Sequence, residues 1–403
     1  MNPLREAFDF FKVYKNVLVV CIGIFISMIG FGLIFPLFPL YAKTFGATPT
    51  DIGIIASMFA LTRFIFATPF GALSDRYGRK SMLIVGFFSY SIAMSSFAFA
   101  QNLAHLYLFR ALQGIASAMV WPSATAIVAD SVEQKDRGKA MGYFSMSLHM
   151  ALIFGPAVGG FLADLYGIKI PFLLCGLIML LLVPFIKIYV KETVKIGESV
   201  VTQKLSLKKK LRNDYLEIKS SKYFKTLSGL MFASFLGIFA FTLIEPLIPI
   251  YADEKVGATK TDIGIAFTVM GVVGTLIRPF AGSLADRIGR KKPIIYGSMF
   301  SALTTYPMAL IRTPAEMIGI LGVRTVGWAT SEPATQALLA DVVDENKRGK
   351  IFGLFGTIQS LGMILGPTLG GILYQGVGGE ASFIVVSTIA LLPVLVLYKM
   401  IEE

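Results

Sequence analysis

The segment Gly71-Ala-Leu-Ser-Asp75-Arg76-Tyr-Gly78-Arg79-Lys80 recurs as Gly282-Ser-Leu-Ala-Asp286-Arg287-Ile-Gly289-Arg290-Lys291, 211 residues further along the chain. The same offset relates Asp51-Ile-Gly53 to Asp262-Ile-Gly264 and Asp130 to Asp341. It also relates Arg137-Gly138-Lys139 to Arg348-Gly349-Lys350, and Gly155-Pro156-x-x-Gly159-Gly160 to Gly366-Pro367-x-x-Gly370-Gly371. Pro36-x-x-Pro39 returns as Pro246-x-x-Pro249, one residue out of step. The chain therefore reads as two copies of one unit.

Between these repeated pieces the sequence is apolar. Of 403 residues, 55% are hydrophobic and 15% charged, whereas a soluble domain carries about 25% charged residues. The apolar residues fall in about twelve runs, at 17–40, 51–74, 81–100, 103–128, 139–164, 171–190, 224–250, 261–285, 293–311, 314–339, 350–374 and 381–400. A helix of about 20 residues crosses a ~30 Å hydrocarbon layer, so these runs read as transmembrane helices. The short alternating segments of a membrane β-barrel are missing. The expected fold is an all-α membrane protein, with twelve transmembrane helices in two six-helix, pseudo-symmetric bundles. The predicted domains are 1–190, a linker at 191–223, and 224–403. In the linker, Leu207, Leu211, Tyr215 and Ile218 recur at helical spacing among lysines. That pattern suits either an amphipathic surface helix or a flexible charged tether.

The formal net charge of +12 raises the question of a nucleic-acid partner. Position answers it. With the N-terminus inside, 28 of the 37 Lys and Arg residues fall on cytoplasmic loops and tails, five on outer loops, and four inside spans. This asymmetry is the positive-inside rule, and it predicts an inner-membrane protein with both termini cytoplasmic and no nucleic-acid partner. Cys21 and Cys175 lie in apolar runs, so neither a metal site nor a disulfide is expected.

These residues resemble the major facilitator superfamily. Gly71, Asp75, Gly78 and Lys80, with their copies Gly282, Asp286, Gly289 and Lys291, match the family signature Gly-x-x-x-Asp-x-x-Gly-x-[Arg/Lys]. Arg110-x-x-Gln113-Gly114 is similar to the family motif on helix 4. Helix 5, with Gly142, Ala151, Gly155, Pro156, Gly159 and Gly160, looks like the antiporter motif with one alanine substituted, and Gly353, Gly362, Gly366, Pro367, Gly370 and Gly371 match it fully on helix 11. Gly30 to Tyr41 resembles helix 1 of twelve-helix drug:proton antiporters. The resemblance implies the major facilitator fold, parallel repeats related by an axis along the membrane normal, and a midplane substrate site between them. It also implies a cytoplasmic gate at Gly71, Asp75, Arg76, Gly78, Arg79, Lys80, Asp130, Arg137, Gly282, Asp286, Arg287, Gly289, Arg290, Lys291, Asp341 and Arg348.

The residues themselves give the physics of these motifs. The glycines permit tight turns and close packing, small-xxx-small faces let helices approach, and Pro156 bends its helix. Asp75 can face a helix N-terminus, and the motif cations can pair with Asp130 and Asp341.

Charges inside spans are costly and therefore mark function. Glu245 and Glu332 are the two acids well inside spans, each followed by proline. Burial favours the neutral form of a carboxylate, so such a group can carry a proton. By the resemblance, helices 1, 4, 7 and 10 line the cavity, which places Arg110, Gln113, Glu245, Arg324 and Glu332 there. Trp121, Trp328, Phe35 and the neighbouring Phe31 and Phe38 are candidates for an aromatic, cation-accepting wall. Arg278 is expected to reach toward the inner face, and His149 to serve packing.

The leading expectation is proton-coupled export of small amphipathic or cationic compounds by alternating access, without a cofactor and as a monomer. Export or flipping of a metabolite, sugar or lipid is the alternative on the same fold. A membrane sensor is the alternative of another class. No nucleophile–base pair or phosphate-binding loop supports an enzyme.

Overall fold

The structure is a computed structural model, and it describes residues 3–194, 222–344 and 347–401. The linker pattern from Leu207 to Ile218 lies outside the described residues. The first half comprises α1 (Pro3–Val13), α2 (Lys15–Ile34), α3 (Phe38–Lys43), α4 (Pro49–Tyr77), α5 (Arg79–Phe97), α6 (Leu103–Asp130), α7 (Arg137–Tyr166) and α8 (Lys169–Tyr189). The second comprises α9 (Phe224–Ile244), α10 (Ile248–Val256), α11 (Lys260–Ile288), α12 (Lys291–Leu303), α13 (Pro314–Asp341), α14 (Arg348–Val377) and α15 (Gly379–Met400). There is no strand among the described residues.

The repeat survives into three dimensions. The helices α4, α6 and α7 reappear 211 residues later, at matching lengths, as α11, α13 and α14. Packing repeats as well: α2 lies on α7 and α8 and α5 on α6 and α8, just as α9 lies on α14 and α15 and α12 on α13 and α15. The described residues form two compact units. One gathers those within Met1–Ala47, Ile55–Ser199 and Ala252–Gly271; the other gathers those within Thr48–Ile54, Val200–Tyr251 and Val272–Glu403.

Nine helical segments among the described residues are long and apolar enough to cross a membrane. The other three expected spans correspond to α5, α12 with the turn after it, and α13. Polar residues dilute α5 and α13, among them Arg324 and Glu332 in α13.

Three expected spans are not continuous helices. The run 17–40 breaks between Ile34 and Phe38, and the run 224–250 passes through a 3₁₀ turn at Glu245–Leu247. Pro36 and Pro246 lack the N–H that would continue the α ladder. The run 293–311 ends its α-helix at Leu303 and resumes as a 3₁₀ turn, Tyr306–Leu310. There the Thr304 and Thr305 hydroxyls donate to the carbonyls of Phe300 and Ser301 at 2.7 and 2.9 Å, and Pro307 cannot donate. Hydropathy does not register a missing backbone donor, so the runs look unbroken in sequence.

The tail before the first span also folds, as α1. Lys139 of α7 meets Glu6 at 2.9 Å, Phe10 and Phe11 pack on Tyr143, and the Tyr14 hydroxyl donates to Asp136 at 2.7 Å.

Candidate functional site

The signature motif forms the turn from α4 into α5. Gly78 adopts φ +99° and Gly289, its copy, φ +86°, a region that glycine enters without strain. Arg79, rather than Lys80, carries the ion pairs. It contacts Asp130 and Asp75, the latter at 3.3 Å, and donates to the Ala126 carbonyl at 2.8 Å. Arg290 repeats this with Asp341 at 3.2 Å and with Asp286. Each arginine thereby ties the end of one helix to the end of the helix two places on. Arg76, Arg137, Arg287 and Arg348 are exposed, while Lys80 and Lys291 are half-buried. Asp75 pairs with Arg79. A β-carbon at Gly71 or Gly282 would meet nothing within 4 Å, so close packing does not require glycine there.

Glu192 completes the first turn. Its carboxylate accepts the backbone N–H groups of Arg79 at 2.9 Å and Lys80 at 3.1 Å. It thus caps α5 from 113 residues away and crowds the space a Gly78 β-carbon would need. In sequence it sits among linker charges and carries no signal. Loss of such a cap costs about 0.5–2 kcal/mol. Glu192→Ala is therefore expected to lower the thermal midpoint of the detergent-solubilised protein by a few degrees, and Glu192→Gln by less.

The small-residue motifs are contact points between helices. A β-carbon on Gly155 or Gly159 of α7 would run into the backbone of α2 at Ile29, Gly32 and Leu33. On α14, Gly362 faces Phe235 and Phe239, Gly366 meets Thr242, and Gly370 meets the carbonyl of Leu243, all on α9. Gly160 packs on Lys260 and Gly371 on Pro49. The first glycines of the motifs, Gly142 and Gly353, have no neighbour within 4 Å of a β-carbon. Pro156 and Pro367 lie inside unbroken helices. Near these glycines, Asp164 accepts from the Thr261 N–H at 2.8 Å and hydroxyl at 2.6 Å, and pairs with Lys260 at 3.1 Å. Its copy, Gln375, accepts from the Thr50 hydroxyl at 2.5 Å and from no other group among the described residues. The sequence reading missed Asp164 because it looks like an ordinary span-end acid.

The two arginines on the helix 4 and helix 10 positions differ. Arg110 of α6 donates to Gln113 at 2.7 Å, and Gln113 in turn donates to Tyr90 at 3.0 Å. The rings of Phe38 and Phe59 lie 4.6 and 5.1 Å from its guanidinium. Arg324 of α13 has the Phe241 ring at 5.2 Å and lies in the field of Glu245. Both arginines are 7% exposed.

The acids occupy different settings. Glu245 stands at the break after α9, whereas Glu332 is in mid-helix, because Pro333 does not interrupt α13. Arg278 Nε approaches Glu332 Oε2 to 3.4 Å. It is misaligned for a hydrogen bond yet within ion-pair distance, with both side chains partly exposed. Arg278 therefore pairs within its unit.

Each aromatic candidate has its own ring or cation partners. Trp121 has Arg63 at 5.4 Å and Phe144 edge-on, Phe35 packs on Phe31 and Phe267, and Trp328 stacks on Phe241 at 5.2 Å. His149 contacts the Ser145 carbonyl of its own helix at 2.8 Å.

Within the second unit, Arg324, Trp328, Phe241, Glu332, Gln336 and Ser298 share a cavity of about 100 Å³. Every residue lining it belongs to that unit. One water needs only ~15 Å³ on this scale.

Comparison with known proteins agrees with this architecture. The sequence profile of the Major Facilitator Superfamily matches residues 20–255 and 230–403. Multidrug resistance protein 2 of Bacillus subtilis is 30% identical, over 90% of this chain and 89% of that protein. Multidrug resistance protein MdtG of Escherichia fergusonii is 30% identical, over 97% of this chain and 95% of that protein. Among solved structures, a bacterial homologue of the human lysosomal transporter Spinster superposes with a TM-score of 0.79 at 15% identity, covering 95% of each chain. A duplicated six-helix unit, its paired Gly78 and Gly289 turns and a profile match across nearly the whole length place the chain in the major facilitator superfamily of membrane transporters.

Proposed function

We propose that this transporter exports small amphipathic compounds, cationic ones included, in exchange for protons. It works by alternating access in the plasma membrane, with both termini cytoplasmic. The observation that carries the reading is that each of its two in-span acids has an arginine nearby: Arg278 lies 3.4 Å from Glu332, and Glu245 stands in the field of the buried Arg324. A carboxylate that trades an arginine for a proton changes its charge and its partner in one step. Ionisable groups at membrane depth serve such relays. The full-length likeness to multidrug resistance proteins supports the substrate class, and the charge asymmetry supports the orientation.

The test uses acid-loaded inverted membrane vesicles. Addition of a lipophilic cation such as tetraphenylphosphonium is expected to release protons from vesicles containing the protein and not from control vesicles. Proton release with sugars or lipids alone would move the substrate class to metabolites. No flux with any solute would favour a sensor.

A further inference from the structure

Arg324 is in an unusual position for a buried arginine. It is 7% exposed, yet it makes no hydrogen bond and no ion pair within 4 Å to any described residue. Its surroundings are the Phe241 ring and the field of Glu245. Arg110, in the first unit, uses an N–H on Gln113. A guanidinium has five donors, and leaving them dry and unmatched is expensive. The donors of Arg324 are not sealed in protein, because this side chain lines the cavity of the second unit.

The rest of that cavity fits an anion. Glu332, the acid on its wall, already has Arg278 at 3.4 Å. The wall therefore presents one carboxylate with its own counter-charge and one guanidinium without a contact partner. Ser298 and Gln336 line the same space and make no hydrogen bond among the described residues. They supply further donors to a bound oxygen. Beside Arg324, the stacked rings of Phe241 and Trp328 offer an apolar face.

We propose that this cavity is a substrate subsite for an aromatic anion, a carboxylate or sulfonate. The anionic oxygens take the Arg324 fork in the bidentate manner, and the substrate ring lies against Trp328. The inference rests on the transporter reading above, which it narrows to substrates that carry an acidic group as well as, or in place of, a cationic one.

The chain has two tryptophans, so Trp121→Phe leaves Trp328 as the single reporter. The probes are 4-nitrobenzoate, its neutral amide 4-nitrobenzamide, and 4-nitrobenzylamine, whose nitroarene quenches tryptophan on contact. Saturable quenching by the acid is expected, at least tenfold tighter than by the amide or the amine. Arg324→Gln should weaken the acid at least tenfold and leave the amide unchanged. Arg324→Lys, which keeps the charge without the planar fork, should recover part of the loss. Acid binding no tighter than amide binding would overturn the proposal, as would an Arg324→Gln variant that binds the acid like its parent. If Arg324 variants do not fold, the acid-against-amide comparison still decides. Flux assays on the same protein separate the two readings. Proton-linked flux of tetraphenylphosphonium without acid preference leaves the transporter and removes the subsite. Arg324-dependent acid binding without any proton-linked flux leaves the subsite and removes the transporter reading.

Discussion

Glu332→Gln is expected to remove most proton-driven accumulation of substrate while the protein remains folded and still binds. The amide keeps the size of the side chain but can neither carry the proton nor answer Arg278, 3.4 Å away. A one-unit pH gradient in one-for-one electroneutral exchange sustains about a tenfold concentration ratio, or about 1.4 kcal/mol. The variant should fall close to equal concentrations on the two sides. Removing one partner of this half-buried pair also leaves the other charge without its counter-charge. Arg278→Gln combined with Glu332→Gln separates these effects. The double change should recover thermal stability lost by the single one, but not coupling. Recovery of coupling would show that Glu332 only balances Arg278. Accumulation in proteoliposomes, alongside a melting curve for each variant, makes the distinction. Glu245→Gln should act in the same direction, because Glu245 is the acid in the field of Arg324.

Gly370→Ala is expected to cost the folded state more than alanine at any other described glycine. Its β-carbon would occupy the position of the Leu243 carbonyl, on backbone that cannot rotate away as a side chain can. Overpacking typically costs about 1–3 kcal/mol, and this site lies at or above the upper end. The variant should yield little monodisperse protein on size exclusion in detergent. Gly353 of the same helix is the control, since a β-carbon there meets nothing within 4 Å. Gly353→Ala should be neutral or gain up to ~1 kcal/mol, because alanine favours a helix interior over glycine. Equal yields for the two variants would mean that α9 and α14 are not locked at Leu243.

The duplicated segments, the span count and the helix ends near Gly78 and Gly289 were legible in the sequence because they depend on local chemistry and on a simple offset. The breaks at Pro36 and Pro246 were harder to read. Both prolines lie in runs that stay apolar throughout, and the broken helix resumes within three residues. The acids Asp130 and Asp341 were found by the repeat, but the choice of Arg79 and Arg290 over the neighbouring lysines needed geometry. Only the arginine fork reaches a carboxylate and a carbonyl together, as at Asp130 and Ala126. Glu192 and Asp164 were missed because each caps a helix more than 90 residues away in sequence. Arg324 and Arg110 looked alike as buried cations. Their difference lies in what surrounds them, an internal Gln113–Tyr90 chain for one and an open cavity for the other.

Coupling of export to protons is the role proposed above for Glu245 and Glu332. Its most direct test is tetraphenylphosphonium accumulation in acid-loaded proteoliposomes, comparing the wild type with the variant carrying Gln at both positions. The account predicts gradient-driven accumulation by the wild type that an ionophore collapses. It predicts that the double variant still exchanges labelled for unlabelled substrate but does not accumulate it. Accumulation by the double variant at the wild-type level would contradict the account.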